Sequence, residues 1–196
     1  MLKRLMDIFF ALLGLVVLFP FLFIIGLVVA MTSRGGVFYR QVRVGKHNKD
    51  FRLFKYRTMF VDAEKQGLLT VGGRDPRITP IGYYLRKYKL DELPQLLNVL
   101  WGSMSLVGPR PEVRKYVDLY NEEQKKVLNV KPGITDYASL QYFCENDLLA
   151  KSSDPEHTYI YEIMPAKLAL NKKYIAESGV FTDLSVIFKT IKRILS

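Results

Sequence analysis

Residues 8–31, with the sequence IFFALLGLVVLFPFLFIIGLVVAM, contain no charged side chain. A helix needs about 20 apolar residues to cross the core of a bilayer, and these 24 positions are enough. The apolar core of a cleaved signal peptide has about 7–15 residues and ends at a small-x-small site. Because this run is longer and ends in VVAMTSR, we expect it to stay in the mature protein. We assign residues 1–33 to a membrane segment.

Pro20 lies near the middle of this run, where a proline removes a backbone hydrogen bond and kinks or breaks a helix. Basic residues flank both ends, with Lys3 and Arg4 before the run and Arg34 and Arg40 after it. Positive residues tend to stay on the cytoplasmic side. Two interpretations follow from the residues alone: a re-entrant helix that breaks at Pro20 and returns to the same side, or a spanning helix with a tolerated kink.

The rest of the chain, residues 34–196, has the composition of an ordinary globular domain with many aromatic residues. The net charge of +10 favours anionic partners such as lipid headgroups, nucleic acid or phosphorylated small molecules. Cys144 is the one cysteine, so an internal disulfide is excluded. No spacing of cysteine and histidine resembles a zinc site.

A basic, aromatic stretch follows the membrane segment. The pieces VFYRQVRV (37–44) and FRLFKYR (51–57) roughly alternate apolar with basic residues, and the turn-like GKHNKD separates them. This pattern predicts a β-hairpin with one inward face and one face that presents cations. Interleaved aromatics and cations also suit nucleic acid. The nearby membrane segment favours lipid headgroups and phosphorylated substrates, so we expect no nucleic-acid partner.

An acidic pair follows a predicted short helix that Thr79 caps and Pro80 begins. Asp91 and Glu92 precede leucines at helical spacing, and Gly102 is a plausible helix stop. Asp91 is therefore expected at or near the start of a second helix. Taken alone, such a pair is typical of a helix cap, where acids complement the helix dipole.

The arginines near the acidic pair favour a role for the pair in phosphoryl chemistry. Arg86 lies on the preceding helix, five residues before Asp91. Arg110 stands between Pro109 and Pro111, which restrict its backbone to an extended form and allow the side chain to be aimed. Helix N-termini also bind phosphate. Carboxylates and fixed arginines together supply what phosphoryl transfer needs: a nucleophile or metal ligand, and neutralisation of charge.

Ordered motifs over nearly the whole chain resemble the bacterial sugar transferases, the monotopic phosphoglycosyl transferases that act on polyprenol phosphate. The longest motif is LDELPQLLNVLWGSMS, residues 90–105. The others are KRLMD (3–7), the proline-interrupted apolar segment, VFYRQ (37–41), KYRTM (55–59), DPRIT (75–79), VGPRP (107–111), KPGIT (131–135) and, near the end, DL (183–184) before IFKTI (187–191).

The resemblance implies an α+β fold. A re-entrant N-terminal membrane helix, broken at Pro20, would join a mostly helical cytoplasmic domain with a short β-hairpin or sheet and interfacial amphipathic helices. It implies a location at the cytoplasmic face of the bacterial inner membrane. The implied partners are a UDP-sugar, undecaprenyl phosphate and membrane phospholipid, and a homo-oligomer is compatible with the sequence.

The resemblance also implies a mechanism. Asp91 would attack the β-phosphate of the UDP-sugar and release UMP, and the phosphate of the carrier would then attack the aspartyl adduct. Glu92 would assist by activating the acceptor or by placing the metal. The implied cofactor is Mg²⁺, with Asp91 as its ligand. The residues expected to contact phosphate or substrate are Lys55, Arg57, Arg86, Arg110 and Thr135.

The chain departs from the usual family pattern in two places. Phe19 replaces the serine that usually precedes the breaking proline, so the bend can differ in detail. Residues 136–140 replace a common Gly and Ala-Gln-Val run, and residues 141–165 also differ. The departures in residues 136–165 concern the identity of the substrate more than the type of reaction. The sequence leaves the sugar and the glycan pathway open.

The C-terminal stretch from Asp183 predicts an amphipathic helix. Its apolar stripe comprises Leu184, Ile187, Phe188, Ile191, Ile194 and Leu195, and basic residues flank it. Packing onto the domain core and contact with anionic lipid are both compatible with this pattern.

A second function class remains open on the residues alone: a membrane-tethered binding module without chemistry. Such a module would need its cations but would tolerate Asp91→Asn, whereas an enzyme would lose turnover.

Overall fold

The computed structural model describes residues 2–195. Helix α1 spans Leu2–Thr32 and is the one helix in this described range that is long and apolar enough to cross a membrane. At 1.5 Å per residue it is about 46 Å long, more than the ~30 Å of a bilayer core. Pro20 lies inside this helix, which is continuous on both sides of it. Re-entry into the membrane at Pro20 stays a prediction.

Both ends of α1 pack against the same domain. Near the start, Arg4 donates to the carbonyl oxygens of Val99 and Leu100 at 2.5 and 2.9 Å. In the second half of the helix, the Tyr56 hydroxyl donates to the Leu22 carbonyl oxygen at 2.7 Å, and Val29 is buried in one apolar cluster with Tyr56. The domain therefore contacts α1 both near its start and in its second half.

The predicted hairpin is confirmed. Strand β1 (Phe38–Val44) pairs antiparallel with β2 (Asp50–Tyr56), with Phe38 opposite Tyr56 and Val44 opposite Asp50. The two faces of the hairpin differ. Tyr56 contacts α1, whereas Lys55, the next residue, lies on the opposite face because side chains alternate along a strand.

The acidic pair sits in a turn between two short helices. Helix α2 spans Pro80–Lys87, and the Thr79 side chain caps it by accepting from the Gly82 N–H at 3.0 Å, as predicted. A 3₁₀ turn, Leu90–Glu92, follows, and helix α3 spans Gln95–Trp101 and ends at Gly102 with φ +87°. Asp91 thus precedes α3 by one turn and is not its N-cap.

A small parallel sheet follows α3 in the chain. Strand β3 (Ser105–Val107) pairs with β4 (Gly133–Thr135). The backbones of Gly133, which begins β4, and Gly108, which follows β3, approach closely. A Cβ on Gly133 would lie 2.0 Å from the Gly108 nitrogen. The other helices are α4 (Arg114–Val117), α5 (Glu122–Lys125), α6 (Tyr137–Gln141), α7 (Glu145–Leu149), α8 (Pro155–Thr158), α9 (Met164–Glu177) and α10 (Val180–Leu195), with a π-helical turn at Tyr159–Ile163. The α+β fold class is confirmed.

Three apolar clusters hold these elements together. One lies under α1 and includes Ile25, Val29, Tyr56 and Leu85. A second joins α1, α3, β3, α9 and α10 through side chains such as Ala11, Val99, Val107, Tyr174 and Val186. The third fills the region between β1 and the helices α4 to α9. The second cluster connects the first turns of the membrane helix to the helix that follows the acidic pair.

Asp7 attaches α1 to the domain through hydrogen bonds, and a substitution of Asp7 tests this attachment. Its buried carboxylate accepts from the Ser105 hydroxyl at 2.8 Å and from the Leu106 N–H at 3.0 Å. Asp7→Ala leaves both donors unpaired, so we expect the free energy of unfolding in detergent to fall by about 1–3 kcal/mol. The exposed Phe9→Ala is the control and should change it little. Equal effects of the two substitutions would contradict the attachment.

Candidate active site

Glu92 forms the centre of a buried charge cluster. Its Oε2 accepts from Arg110 Nη1 at 3.0 Å, and its Oε1 accepts from Lys55 Nζ at 3.1 Å and also from Arg110 Nη2. Burial alone would raise the pKa of this carboxyl, but the charges of Arg110 and Lys55 outweigh burial and hold the pKa of Glu92 well below its usual range. Glu92 is therefore an ionised carboxylate whose two oxygens are both bound to cations.

Asp91 has the opposite environment. Its side chain is also buried, yet no hydrogen bond or ion pair to it occurs in the described part of the chain. Burial raises the pKa of the Asp91 carboxyl, and the Glu92 charge raises it further, while Lys55, Arg86 and Lys89 act in the other direction. Adjacent residues thus supply one neutralised carboxylate and one that is left without a partner.

Lys55 reaches Glu92 because Asn98 fixes strand β2 against α3. The Asn98 Oδ1 accepts from the Phe54 N–H at 2.9 Å, and its Nδ2 donates to the Arg52 carbonyl oxygen at 2.8 Å. This side chain therefore pairs with the free edge of β2 as a neighbouring strand would. The contact sets the position of the hairpin relative to the acidic turn.

Hydrogen bonds to both neighbours of Arg110 fix the segment that carries it. The Pro109 carbonyl oxygen accepts from the Gly133 N–H at 3.0 Å, and the Pro111 carbonyl oxygen accepts from Arg43 Nη1 at 3.1 Å. With both neighbours fixed, the guanidinium meets Glu92 in a two-pronged ion pair, the strongest geometry for arginine and a carboxylate.

Arg86 and Lys89 add positive charge beside Asp91. Arg86 lies near enough to Asp91 to counter the rise of its pKa, and its Nη2 donates to the Thr70 hydroxyl at 2.9 Å. Lys89 also acts on both carboxyls and has a left-handed backbone, φ +54°, at the junction of α2 and the acidic turn. Lys89 was not among the predicted site residues, although its position two residues before Asp91 could have indicated that it lies in the site.

Two predicted site residues have their hydrogen-bonding partners elsewhere in the fold. Arg57 donates to the Gly36 carbonyl oxygen at 3.0 Å, at the exit of α1. The Thr135 hydroxyl is 2.7 Å from the Thr190 hydroxyl on α10. Neither is seen to contact the acidic pair, and a phosphate-binding role for them stays a prediction.

A buried ion pair that the sequence analysis did not assign to the site holds the loop beside Arg86. Asp75 and Arg77 bond through both carboxylate oxygens, and Arg77 also donates to the Gly67 and Leu69 carbonyl oxygens at 2.5 Å each. Thr70 directly follows Leu69, and its hydroxyl accepts from Arg86. Arg77 therefore sets the conformation of the loop that contacts Arg86. In the sequence, the motif DPRIT (75–79), which contains both residues, could have indicated this ion pair.

The donor set limits how a metal could bind. No group of three or more His, Cys, Asp or Glu side chains that could hold a metal occurs within residues 2–195. Both oxygens of Glu92 already accept from cations, so Asp91 is the carboxylate of the pair that remains free. A single carboxylate fits Mg²⁺, which commonly binds one or two protein carboxylates together with substrate phosphates.

Taken together, the cluster suits the attack of a carboxylate on an anionic phosphate group. A buried carboxylate without a partner is a weakly solvated nucleophile, and the cations Lys55, Arg86 and Lys89 beside it can neutralise charge on a bound phosphate.

Comparison with known proteins places this geometry in context. The family model described as bacterial sugar transferase matches residues 1–196. The chain is 35% identical to a UDP-N-acetylgalactosamine-undecaprenyl-phosphate N-acetylgalactosaminephosphotransferase of Aeromonas hydrophila, over 99% of this chain and 44% of that protein. It is 35% identical to a UDP-glucose:undecaprenyl-phosphate glucose-1-phosphate transferase of Escherichia coli, over 97% of this chain and 39% of that protein.

A relative of similar length also exists. The chain is 36% identical to an exopolysaccharide production protein of Rhizobium leguminosarum, over 97% of this chain and 93% of that protein. The chain thus spans less than half of the first two relatives but nearly all of the third.

The opposite environments of the two carboxyls predict opposite effects on stability. The folded-state pKa of Glu92 is lowered, so its charge stabilises the fold at neutral pH, and this stabilisation is lost as the pH falls through that pKa. Glu92→Gln leaves Lys55 and Arg110 without their counter-charge and should lower the free energy of unfolding by about 3–5 kcal/mol.

The pKa of Asp91 is raised, so its charged form costs stability at neutral pH, and Asp91→Asn should leave the melting temperature unchanged or higher. Thermal unfolding of both variants in detergent at pH 7 checks the contrast. Equal losses in the two variants would contradict it.

Proposed function

The chain belongs to the bacterial sugar transferase family, and from this premise we propose that it transfers a sugar-1-phosphate from a UDP-sugar to undecaprenyl phosphate. The names of the relatives from Aeromonas hydrophila and Escherichia coli support both substrates. The observation that carries the proposal in this chain is the buried, unpaired Asp91 beside a fully neutralised Glu92.

In the first proposed step, an Asp91 carboxylate oxygen attacks the β-phosphorus of the UDP-sugar. A bond forms between this oxygen and phosphorus, the bond from phosphorus to the bridging oxygen breaks, and UMP leaves with that oxygen. A sugar-phosphate then remains bound to Asp91. Arg86, Lys55 and Lys89 lie close enough to Asp91 to neutralise charge on the phosphoryl oxygens.

In the second step, a phosphate oxygen of undecaprenyl phosphate attacks the same phosphorus. The bond to the aspartyl oxygen breaks, Asp91 is regenerated, and the product is an undecaprenyl diphosphate sugar. A phosphate monoester has a second pKa of about 6, so the acceptor is largely dianionic at neutral pH and needs little help from a base.

In this scheme Glu92 positions two cations and does not act as a base. With its pKa held well below the usual range, Glu92 cannot take up a proton near neutral pH. Its two oxygens align Lys55 and Arg110 instead. The sequence had left open whether Glu92 activates the acceptor or places a metal, and this geometry favours a third role, the alignment of cations.

Mg²⁺ is the proposed cofactor, and Asp91 is the residue of the acidic pair that would hold it. When bound, the ion would neutralise charge on the phosphates of the donor. The same carboxylate would also serve as the nucleophile, and phosphate oxygens of the substrate would complete the binding of the ion.

We place the reaction at the cytoplasmic face of the bacterial inner membrane, as a first membrane step of glycan assembly. Apolar side chains of α1 are exposed along most of its length, and the basic residues at both ends favour the cytoplasmic side. An acceptor embedded in the bilayer would then have its phosphate on the side where the acidic turn lies.

Turnover with a panel of donors tests the function and excludes the binding module. Protein in lipid nanodiscs with Mg²⁺ and undecaprenyl phosphate should release UMP from one or a few UDP-sugars. Asp91→Asn should lower the rate by about 10³-fold or more while it stays folded and membrane-bound. UMP release at the wild-type rate by Asp91→Asn would rule out the nucleophile.

The pH dependence of kcat/KM tests the role of Lys55. Asp91 must be ionised to attack, so the rate rises with pH through its pKa. Lys55 lowers that pKa against the effect of burial, and Lys55→Met removes this contribution. We therefore expect the acidic limb of the profile to move to higher pH in Lys55→Met.

The matched control is Arg40→Met, which removes a cation from the face of the hairpin opposite Lys55. Its profile should coincide with that of the wild type. An unshifted acidic limb in Lys55→Met would show that Lys55 does not act on Asp91.

A further inference from the structure

Gln95, the first residue of helix α3, has a buried amide nitrogen without a hydrogen-bond partner. The residue is 2% exposed. Within residues 2–195, only two buried side-chain nitrogen or oxygen atoms make no hydrogen bond, the Nε2 of Gln95 and the hydroxyl of Ser139. An unpaired buried donor costs free energy, and native proteins keep few of them, so each requires an explanation such as a role in catalysis.

A nearby amide on the same helix shows the contacts of a structural role. Asn98 is as deeply buried as Gln95 and lies three residues further along α3. It accepts from the Phe54 N–H at 2.9 Å and donates to the Arg52 carbonyl oxygen at 2.8 Å, so both of its polar atoms fix strand β2. The Nε2 of Gln95 makes no such bond, and support of the fold does not explain it.

The backbone places Gln95 beside the acidic pair. The 3₁₀ turn Leu90–Glu92 continues into α3 through two residues that both have right-handed helical backbone angles. Along such a backbone, side chains three and four residues apart are neighbours, and for Gln95 these neighbours are Glu92 and Asp91. All three side chains are buried. The Gln95 amide therefore lies one turn beyond the carboxyls, in the same buried region.

Two members of this group lack partners. Both oxygens of Glu92 accept from cations, namely Lys55 and Arg110. Asp91 and the Nε2 of Gln95 form no hydrogen bond in the described part of the chain, either with each other or with a third group. A phosphoryl group joined to Asp91 would carry non-bridging oxygens into this region, and these oxygens are the acceptors that the amide lacks.

We propose that Gln95 is a further catalytic residue, whose Nε2–H donates to a non-bridging oxygen of the phosphoryl group as that group moves onto and off Asp91. This inference rests on the proposed function. The amide keeps its protons, so the bonds that form and break are those of the two proposed steps. Lys55, Arg86 and Lys89 supply charge, and the amide adds a directed hydrogen bond that is made only when the phosphoryl group is present.

Gln95→Met tests this contact, because methionine has nearly the same length and no donor. In lipid nanodiscs with Mg²⁺, undecaprenyl phosphate and the active UDP-sugar, we expect kcat to fall about 10²-fold while the KM for the donor changes little. The melting temperature should stay unchanged or rise, because an unpaired buried donor is removed. Gln141→Met, the same change at an exposed position, should retain the wild-type rate and melting temperature.

Two results would assign the amide to another role. A lower melting temperature with an unchanged kcat would show that Gln95 supports the fold. A shift of the acidic limb of kcat/KM to higher pH in Gln95→Met would show that the amide already bonds to the Asp91 carboxylate in the free protein. Either result would overturn the inference.

Binding of inorganic phosphate separates this inference from the proposed function. Phosphate needs no sugar donor, and the Asp91→Asn background removes a negative charge that would repel it. We expect phosphate to raise the melting temperature of Asp91→Asn, and its apparent Kd to be about 10-fold weaker when Gln95→Met is added.

The two failures differ in this comparison. UMP release by the wild type, with equal rates and equal phosphate affinity in the Gln95→Met variants, would overturn the inference and leave the proposed function intact. Phosphate binding that depends on Gln95, without UMP release from any donor, would support the amide as a phosphate ligand and contradict the proposed function.

Discussion

Two adjacent carboxylates are buried in one turn, and the rest of the site depends on keeping them in opposite states. Glu92 is ionised because Arg110 and Lys55 enclose it. Asp91 has no such partner, and burial raises its pKa. Each cation requires its own support: Asn98 holds the strand that carries Lys55, and the bonds to Pro109 and Pro111 hold the segment that carries Arg110. The β-hairpin and the parallel strand pair can both be understood as supports for charges on one acidic turn.

The same turn lies close to the membrane helix. Arg4, in the first turns of α1, binds the carbonyl oxygens at the C-terminal end of α3, and Asp91 stands just before the other end of that helix. Helix α3, about 10 Å long, therefore links the acidic turn at one end to the first turns of α1 at the other.

Much of this architecture could be predicted from local patterns in the sequence. The uncharged run predicted α1, the alternation of apolar and basic residues predicted the hairpin, and Thr79 and Gly102 marked helix ends that the structure confirms. The contacts that assemble the site join residues far apart in sequence, such as Lys55 with Glu92 and Asp7 with Ser105, and no local pattern encodes them. The C-terminal stripe shows the same limit, since periodicity identifies apolar positions but not whether they face the core or the outside.

The central claim is that Asp91 attacks phosphorus and carries the sugar-phosphate. The most direct measurement is mass spectrometry of the protein after rapid mixing with its UDP-sugar in the absence of undecaprenyl phosphate. We predict an increase equal to one sugar-phosphate on the peptide that contains Asp91, accompanied by about one equivalent of UMP per protein and removed when acceptor is added. UMP that forms only with acceptor present, with no adduct on that peptide, would contradict this account and indicate direct attack by the carrier phosphate.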